Sequence, residues 1–263
     1  MIEVAVLLSV GRHPVSNRPR RAPTDARALE MALRLPASRR HAVHAGDPAS
    51  PVLRDYLGMG LDRLMALDMP AHRDPVEPLT AHLRSLAPGL VLAGDRGEGG
   101  EDSGMVPYLV AQALGYAIVP DIVAIEVAGD EAEVLQALPR GQRRLVRVAL
   151  PLVATVHPAA PPARQSAFGP ARRGLVETVS VDAPDDLFLA GCETRPWRPR
   201  PKLMRARRKG NAIDRLKAAT ELKSGKGQLL VGVQPDEAAR AIYDCLVERG
   251  VLGRSRQTPP SKP

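Results

Sequence analysis

Four glycines, Gly97, Gly99, Gly100 and Gly104, fall within the short stretch Asp95–Gly104, directly after an apolar run. Glycine lets backbone amides approach a phosphate closely, and a following helix would add the partial positive charge of its N-terminus. Asp102 and Ser103 stand just before such a helix. The stretch matches neither GxGxxG nor GxxxxGK[ST], so a plain turn is the competing reading. Glu98, Glu101 and Asp102 disfavour a bare triphosphate, whereas an adenosine monophosphate held mainly by backbone groups is easier to accommodate.

Other chemistry is thinly represented. The six histidines, His13, His41, His44, His72, His82 and His157, are scattered without ligand spacing, which points to surface or core roles for most of them. Cys192 and Cys245 lie far apart with no CxxC nearby, and no GxSxG elbow or Cys/His pair offers a nucleophile. Any redox chemistry therefore needs a cofactor, with the protein positioning it.

The formal charge of +8 comes from 37 Lys and Arg against 29 Asp and Glu. One segment accounts for it: Arg195 to Lys209, RPWRPRPKLMRARRK, holds eight basic residues and no acid, which leaves the remainder formally neutral. Trp197 is its single aromatic, too few for the stacking platforms of a single-strand binder. The segment reads as a solvated arm or as a docking element for an acidic or nucleotide-bearing partner.

The elements that must position these residues alternate. Residues 2–10, IEVAVLLSV, form an apolar run suited to a strand buried on both faces of a parallel sheet. An Arg- and Pro-rich loop, Gly11–Pro23, leads to a helix with Ala28, Met31, Ala32 and Leu35 on one face, capped by Thr24 or Asp25. Strands at 41–46, 61–67 and 89–94 then alternate with helices at 51–59, 75–86 and 106–114. The order predicts an α/β fold, a doubly wound parallel sheet whose ligands bind beyond the strands' carboxyl ends. From Asp121 onward IVAIEVAG, RRLVRVAL and PLVATVHP suggest hairpin-linked strands extending or flanking that sheet. The Pro-, Ala- and Arg-rich stretch that follows suggests an irregular excursion with one strand-like piece at 175–181. A strand at 227–233 and a helix at 235–249 close the pattern. No apolar run is long enough to span a bilayer, and Glu3 with no cleavage site makes the N-terminus a first strand rather than a signal peptide, so a cytoplasmic protein is expected.

Several blocks, in order, resemble the β subunits of electron transfer flavoproteins. SVGR followed by APTDARALEMALRL is similar to that family's VKR and NPxDxxALExALRL, and DYLGMGLDRLMALD to its ALAMGADRAVLV. EDSGMVPYLVAQALGYAIVP resembles the family's nucleotide loop and helix, LPLVATV its LPAVVTV strand, and RPKLMRARRK its LPxIMKAKKK segment. LLVGVQPDEAARAIYDCLVERGVL resembles the closing strand and helix that reach toward the partner subunit. Departures accompany the matches: Ala22 stands for the family's Asn, Ser103 for its Thr, Met105 for its Gln, and Arg200 for its docking Leu, behind an insertion of about 40 residues.

The resemblance implies a Rossmann-like adenine-nucleotide-binding core over 1–156, an irregular insertion at 157–198, a basic docking segment and linker at 199–226, a partner-embracing arm at 227–252 and a tail at 253–263. It implies that AMP binds this chain structurally at Ser9, Pro23, Thr24, Asp25, Ala45, Gly46, Asp102, Ser103, Gly104, Met105 and Val106, largely through backbone groups. Arg12 and His13 would lie nearest the flavin, an FAD held mainly by the α subunit. Arg200, Lys202, Leu203 and Met204 would dock a dehydrogenase donor, with a quinone-linked or iron–sulfur acceptor downstream. The chain would be an electron carrier rather than an enzyme, with no nucleic acid partner and no membrane insertion. A bifurcating subunit with a second FAD in the AMP site, and a stand-alone adenine-nucleotide-binding protein, remain alternatives.

Overall fold

The computed structural model describes residues 2–37, 39–98, 102–193, 195 and 230–248. The chain divides into two units at Arg195/Pro196. The first is built on a nine-stranded sheet among the described residues.

Its parallel part comprises β1 (Glu3–Leu7), β4 (Arg39–Ala45), β5 (Arg63–Asp68), β6 (Leu90–Gly94), β7 (Ala117–Ala128), β10 (Leu152–Val156) and β11 (Leu175–Ser180). β8 (Glu131–Ala137) and β9 (Arg143–Ala149) continue it antiparallel beyond β7. The spatial order is β11-β5-β4-β1-β6-β10-β7-β8-β9. The chain thus moves from β1 outward through β4 and β5, then crosses back to place β6 on the other side of β1. The strand order reverses between β1 and β6, which is where an open α/β sheet leaves a ligand crevice.

Period-two alternation divides each central strand between two helical layers. Val4 and Val6 of β1, Leu90 and Leu92 of β6, and Leu152 and Ala154 of β10 join the core cluster that includes residues of α1 (Pro23–Arg34) and α2 (Val52–Leu57). Ala5, Leu7, Val91, Ala93 and Val153 join residues of α3 (Val76–Leu86) and α4 (Val106–Leu114) on the other side. Both faces of these strands are dry, as their unbroken apolar runs require.

Four expectations need correction. Gly11–Pro23 is not a loop: β2 (Val10–Arg12) pairs antiparallel with β3 (Pro19–Arg21) in a separate two-stranded hairpin. Polar, Pro-rich sequence hides a strand pair in which only Gly11 is buried. The PLVATVHP strand does not flank the sheet; β10 inserts parallel between β6 and β7. A left-handed Asp121 (φ 58°), its N–H donating to Thr155 Oγ1 at 3.0 Å, and a register shift beside it let β7 pair parallel with β10 along its first half and antiparallel with β8 along its second. Between 157 and 193 the chain is not irregular throughout: α5 (Phe168–Arg173), β11 and α6 (Leu187–Ala190) form there, and β11 pairs with β5 over its whole length. Finally, Leu230–Gln234 is not a strand, while Gly227–Leu229 lies outside the described residues. The helix expected next is present as α7 (Pro235–Glu248) in the second unit.

Candidate nucleotide site at the strand switch point

The carboxyl ends of β1 and β6 are tied together by one residue of α1. Asp25 sits at the third position of the helix, where a capping role was expected, yet no side chain caps α1 and Ala22 is the N-cap residue. Its carboxylate instead accepts from Ser9 N at 2.7 Å, Ser9 Oγ at 2.5 Å and Gly94 N at 2.9 Å. Asp25 is only 4% exposed. Burial pushes its pKa up to about 6, and the hydrogen bonds from Ser9 and Gly94 offset only part of that.

Gly94 is required by this closeness: a Cβ there would overlap the Asp25 carboxylate and the Thr24 hydroxyl. Tyr56, fully buried on α2, braces the same point from below. Its hydroxyl donates to the Ser9 carbonyl at 2.9 Å and accepts from Ala22 N at 2.9 Å. Ser9, Thr24, Asp25 and Gly94 therefore form one rigid corner, and sequence reading had missed Tyr56 and Gly94. The signal for Gly94 was present, since it is the last residue of a buried strand facing a helix start.

The glycine-rich loop leaves β6 beside this corner. Gly104 takes φ +73°, and a Cβ there would stand 2.7 Å from the Asp95 carbonyl, so Ser103 and Met105 are held close to the strand end. Asp102 is also left-handed, at φ 50°. No side chain caps α4 and its first turn carries no acid, so the Val106 amide has no intrahelical partner, while Pro107 contributes no N–H. Met105 N donates to Ser103 Oγ at 3.4 Å, and Val106 opens the helix.

Two of the three acids that weighed against phosphate are paired, and Glu101 lies outside the described residues. Glu98 accepts from Arg12 N at 2.9 Å and from Arg20 Nη2 at 2.7 Å, bracing the hairpin to the loop. Asp102 lies 3.6 Å from Arg96. Arg12 thus contributes its backbone here, while its guanidinium reaches Asn17 O at 3.3 Å. His13 organises the hairpin tip: its Nδ1 accepts from Val15 N at 3.3 Å and Ser16 N at 3.2 Å.

Across β1, Ala45 ends β4 and Gly46 follows with φ +143°, its N–H donating to Leu67 O at 2.9 Å. Pro23 starts α1 and lines a depression of about 430 Å³ together with Arg20, Arg21 and Arg27. That depression does not include Ser9, Gly46 or residues 102–106, so it is separate from the crevice. The candidates thus fall into the Ser9–Asp25 corner, the loop before α4, the end of β4 and the hairpin. Arg200, Lys202, Leu203 and Met204 lie outside the described residues.

The electron transfer flavoprotein domain family matches residues 18–184. The chain is also 43% identical over 256 residues to the electron transfer flavoprotein subunit beta of Chromohalobacter salexigens, covering 95% of this chain and 96% of that one. The chain belongs to the electron transfer flavoprotein β-subunit family. Membership assigns it to electron transfer and agrees with the doubly wound sheet. No helix among the described residues is long and apolar enough to cross a membrane.

Proposed function

We propose that the chain is the β subunit of a heterodimeric electron transfer flavoprotein, holding AMP in the crevice between β1 and β6. The observation that carries the AMP reading is the uncapped, acid-free N-terminus of α4, set beside a left-handed Gly104 at the strand switch point. A monophosphate suits the α4 amides, and the paired Glu98 and Asp102 oppose it less than free carboxylates would. The Ser9–Asp25–Gly94 corner fixes the crevice wall, which supports reading the nucleotide as a structural element rather than a substrate.

A relative named subunit beta supports an α subunit as partner. FAD, held mainly by that partner, supplies the redox chemistry when bound; the hairpin residues Arg12 and His13 are this chain's contribution to its surroundings. His13, with its Nδ1 engaged by two amides, presents a fixed imidazole edge there. The complex accepts electrons from a dehydrogenase through Arg200, Lys202, Leu203 and Met204 and delivers them to a quinone-linked or iron–sulfur acceptor in the cytoplasm. The chain alone is a carrier subunit and not an enzyme.

Co-expression with the α subunit, purification through a tag on this chain and quantitation of released nucleotides test the reading. A heterodimer with one FAD and one AMP is expected. Two FAD would replace AMP by a second flavin and make the complex bifurcating. A colourless monomer without partner would overturn the assignment in favour of a stand-alone nucleotide-binding protein.

A further inference from the structure

His44 lies at the carboxyl end of β4, beside the crevice, and the chemistry above does not use it. It is 5% exposed, one residue before Ala45 at the end of β4. Its Nδ1 lies 2.9 Å from the Leu8 carbonyl. A carbonyl oxygen only accepts, so Nδ1 carries the hydrogen and Nε2 keeps a lone pair. Burial lowers the pKa of the ring, with the Leu8 carbonyl and Asp47 opposing in part, which favours this neutral tautomer.

Nε2 makes no hydrogen bond among the described residues. Nor is it sealed, because Thr80 Oγ1 is the sole fully buried side-chain polar atom there without a partner. What keeps it open is Gly46: a Cβ at that position would stand 3.0 Å from Nε2, and φ +143° resists any other residue. A nearly buried acceptor facing the gap left by a glycine is the wall of a binding site rather than of a core.

The distance from the phosphate cradle decides what binds it. In the order β4-β1-β6 the end of β4 lies two strand spacings, roughly 10 Å, from the loop that leaves β6. An extended mononucleotide with its phosphate at α4 carries its base across that span. We propose that His44 reads the base, its Nε2 accepting a hydrogen bond from the exocyclic amine of adenine. This rests on the AMP reading above and adds to it a side chain that selects a 6-amino purine. A 6-oxo purine would set a carbonyl oxygen against the Nε2 lone pair, leaving both unsatisfied.

The test uses the αβ heterodimer stripped of AMP and titrated calorimetrically with AMP, purine riboside monophosphate and inosine monophosphate. Wild-type protein is expected to bind AMP roughly 10- to 100-fold more tightly than inosine monophosphate, with the unsubstituted purine between. His44→Phe should bring the three affinities together, and His44→Gln, which restores an acceptor, should recover part of the preference. Equal binding of the three by the wild type overturns the proposal without recourse to any variant, as does a preference that survives in His44→Phe. Failure of the wild type to bind any of them while keeping its partner and flavin removes the AMP reading itself, and the role of His44 with it.

Discussion

Asp25 is a carboxylate with donors on both oxygens that still titrates high, because complete burial outweighs three hydrogen bonds. Its pKa rises from 3.8 to about 6, so the folded protein holds this proton more tightly than the unfolded chain does. The stability it contributes is fully present below pH 4 and is lost as pH rises through about 6. The shift corresponds to about 3 kcal/mol. Comparing urea unfolding of wild type and Asp25→Asn between pH 4 and 7.5 isolates this group, since the variant does not titrate there. Wild type should lose stability relative to the variant across that window; parallel curves would show that the hydrogen bonds had won. Tyr56→Phe removes a hydroxyl used as both donor and acceptor and strands the buried Ala22 N–H. A loss of about 1–3 kcal/mol in the same assay is expected. Gly94→Ala pushes a methyl group into Asp25 and Thr24 and should lower AMP content in purified complex along with stability. A variant with full AMP content and unchanged unfolding would show that the corner can yield.

Elements with strong periodicity were readable in advance, and α4 was bounded correctly at Val106 and Leu114. Their signal is local: both faces of β1, β6 and β10 are buried, so apolar character runs without a break. Pairing was not local. PLVATVHP carries the composition of any buried strand, and nothing in it says that β10 joins β6 and β7 rather than β9. The site behaved likewise, since Ser9 and Asp25 are separated in sequence and meet only because α1 packs across the ends of β1 and β6. A second long-range tie escaped the sequence for the same reason. Glu30 of α1 is buried and accepts from Arg164 Nε at 2.6 Å and Arg34 Nε at 2.8 Å. Burial alone would raise its pKa, but the Arg164 and Arg34 guanidinium groups bring it down to about 2. Its contribution is therefore present above pH 4.5 and lost as pH falls through 2, the opposite sense to Asp25. Arg164→Ala should cost about 2 kcal/mol near neutral pH, between the values for exposed and buried pairs, because Glu30 is left buried with only Arg34. Since the pair faces α2 and the returning chain, AMP affinity should hold while the unfolding midpoint drops; a matching loss of AMP would mean that α1 shifts as a body.

At the scale of the molecule the charge is concentrated rather than spread. All of the +8 is carried by Arg195–Lys209, and the remainder of the chain is formally neutral. If the segment docks an acidic partner as proposed, its charge acts through long-range steering screened over the Debye length, so its effect is expected in the association rate and not in the electron-transfer step within the complex. On the proposed docking role, Arg200 stands where the resembling family places an apolar anchor, and an arginine there suits an acidic pocket rather than an oily one. Reversing two charges, Arg200→Glu with Lys202→Glu, should reduce the second-order rate of electron acceptance from the donor dehydrogenase by about tenfold or more at low salt. The same variant should flatten the dependence of that rate on ionic strength, while flavin content, AMP content and the rate at saturating donor stay as in wild type. A drop that persists at high salt would point to lost packing of Leu203 and Met204 instead. An unchanged rate with an unchanged salt slope would remove the segment from the docking surface and leave it a solvated arm.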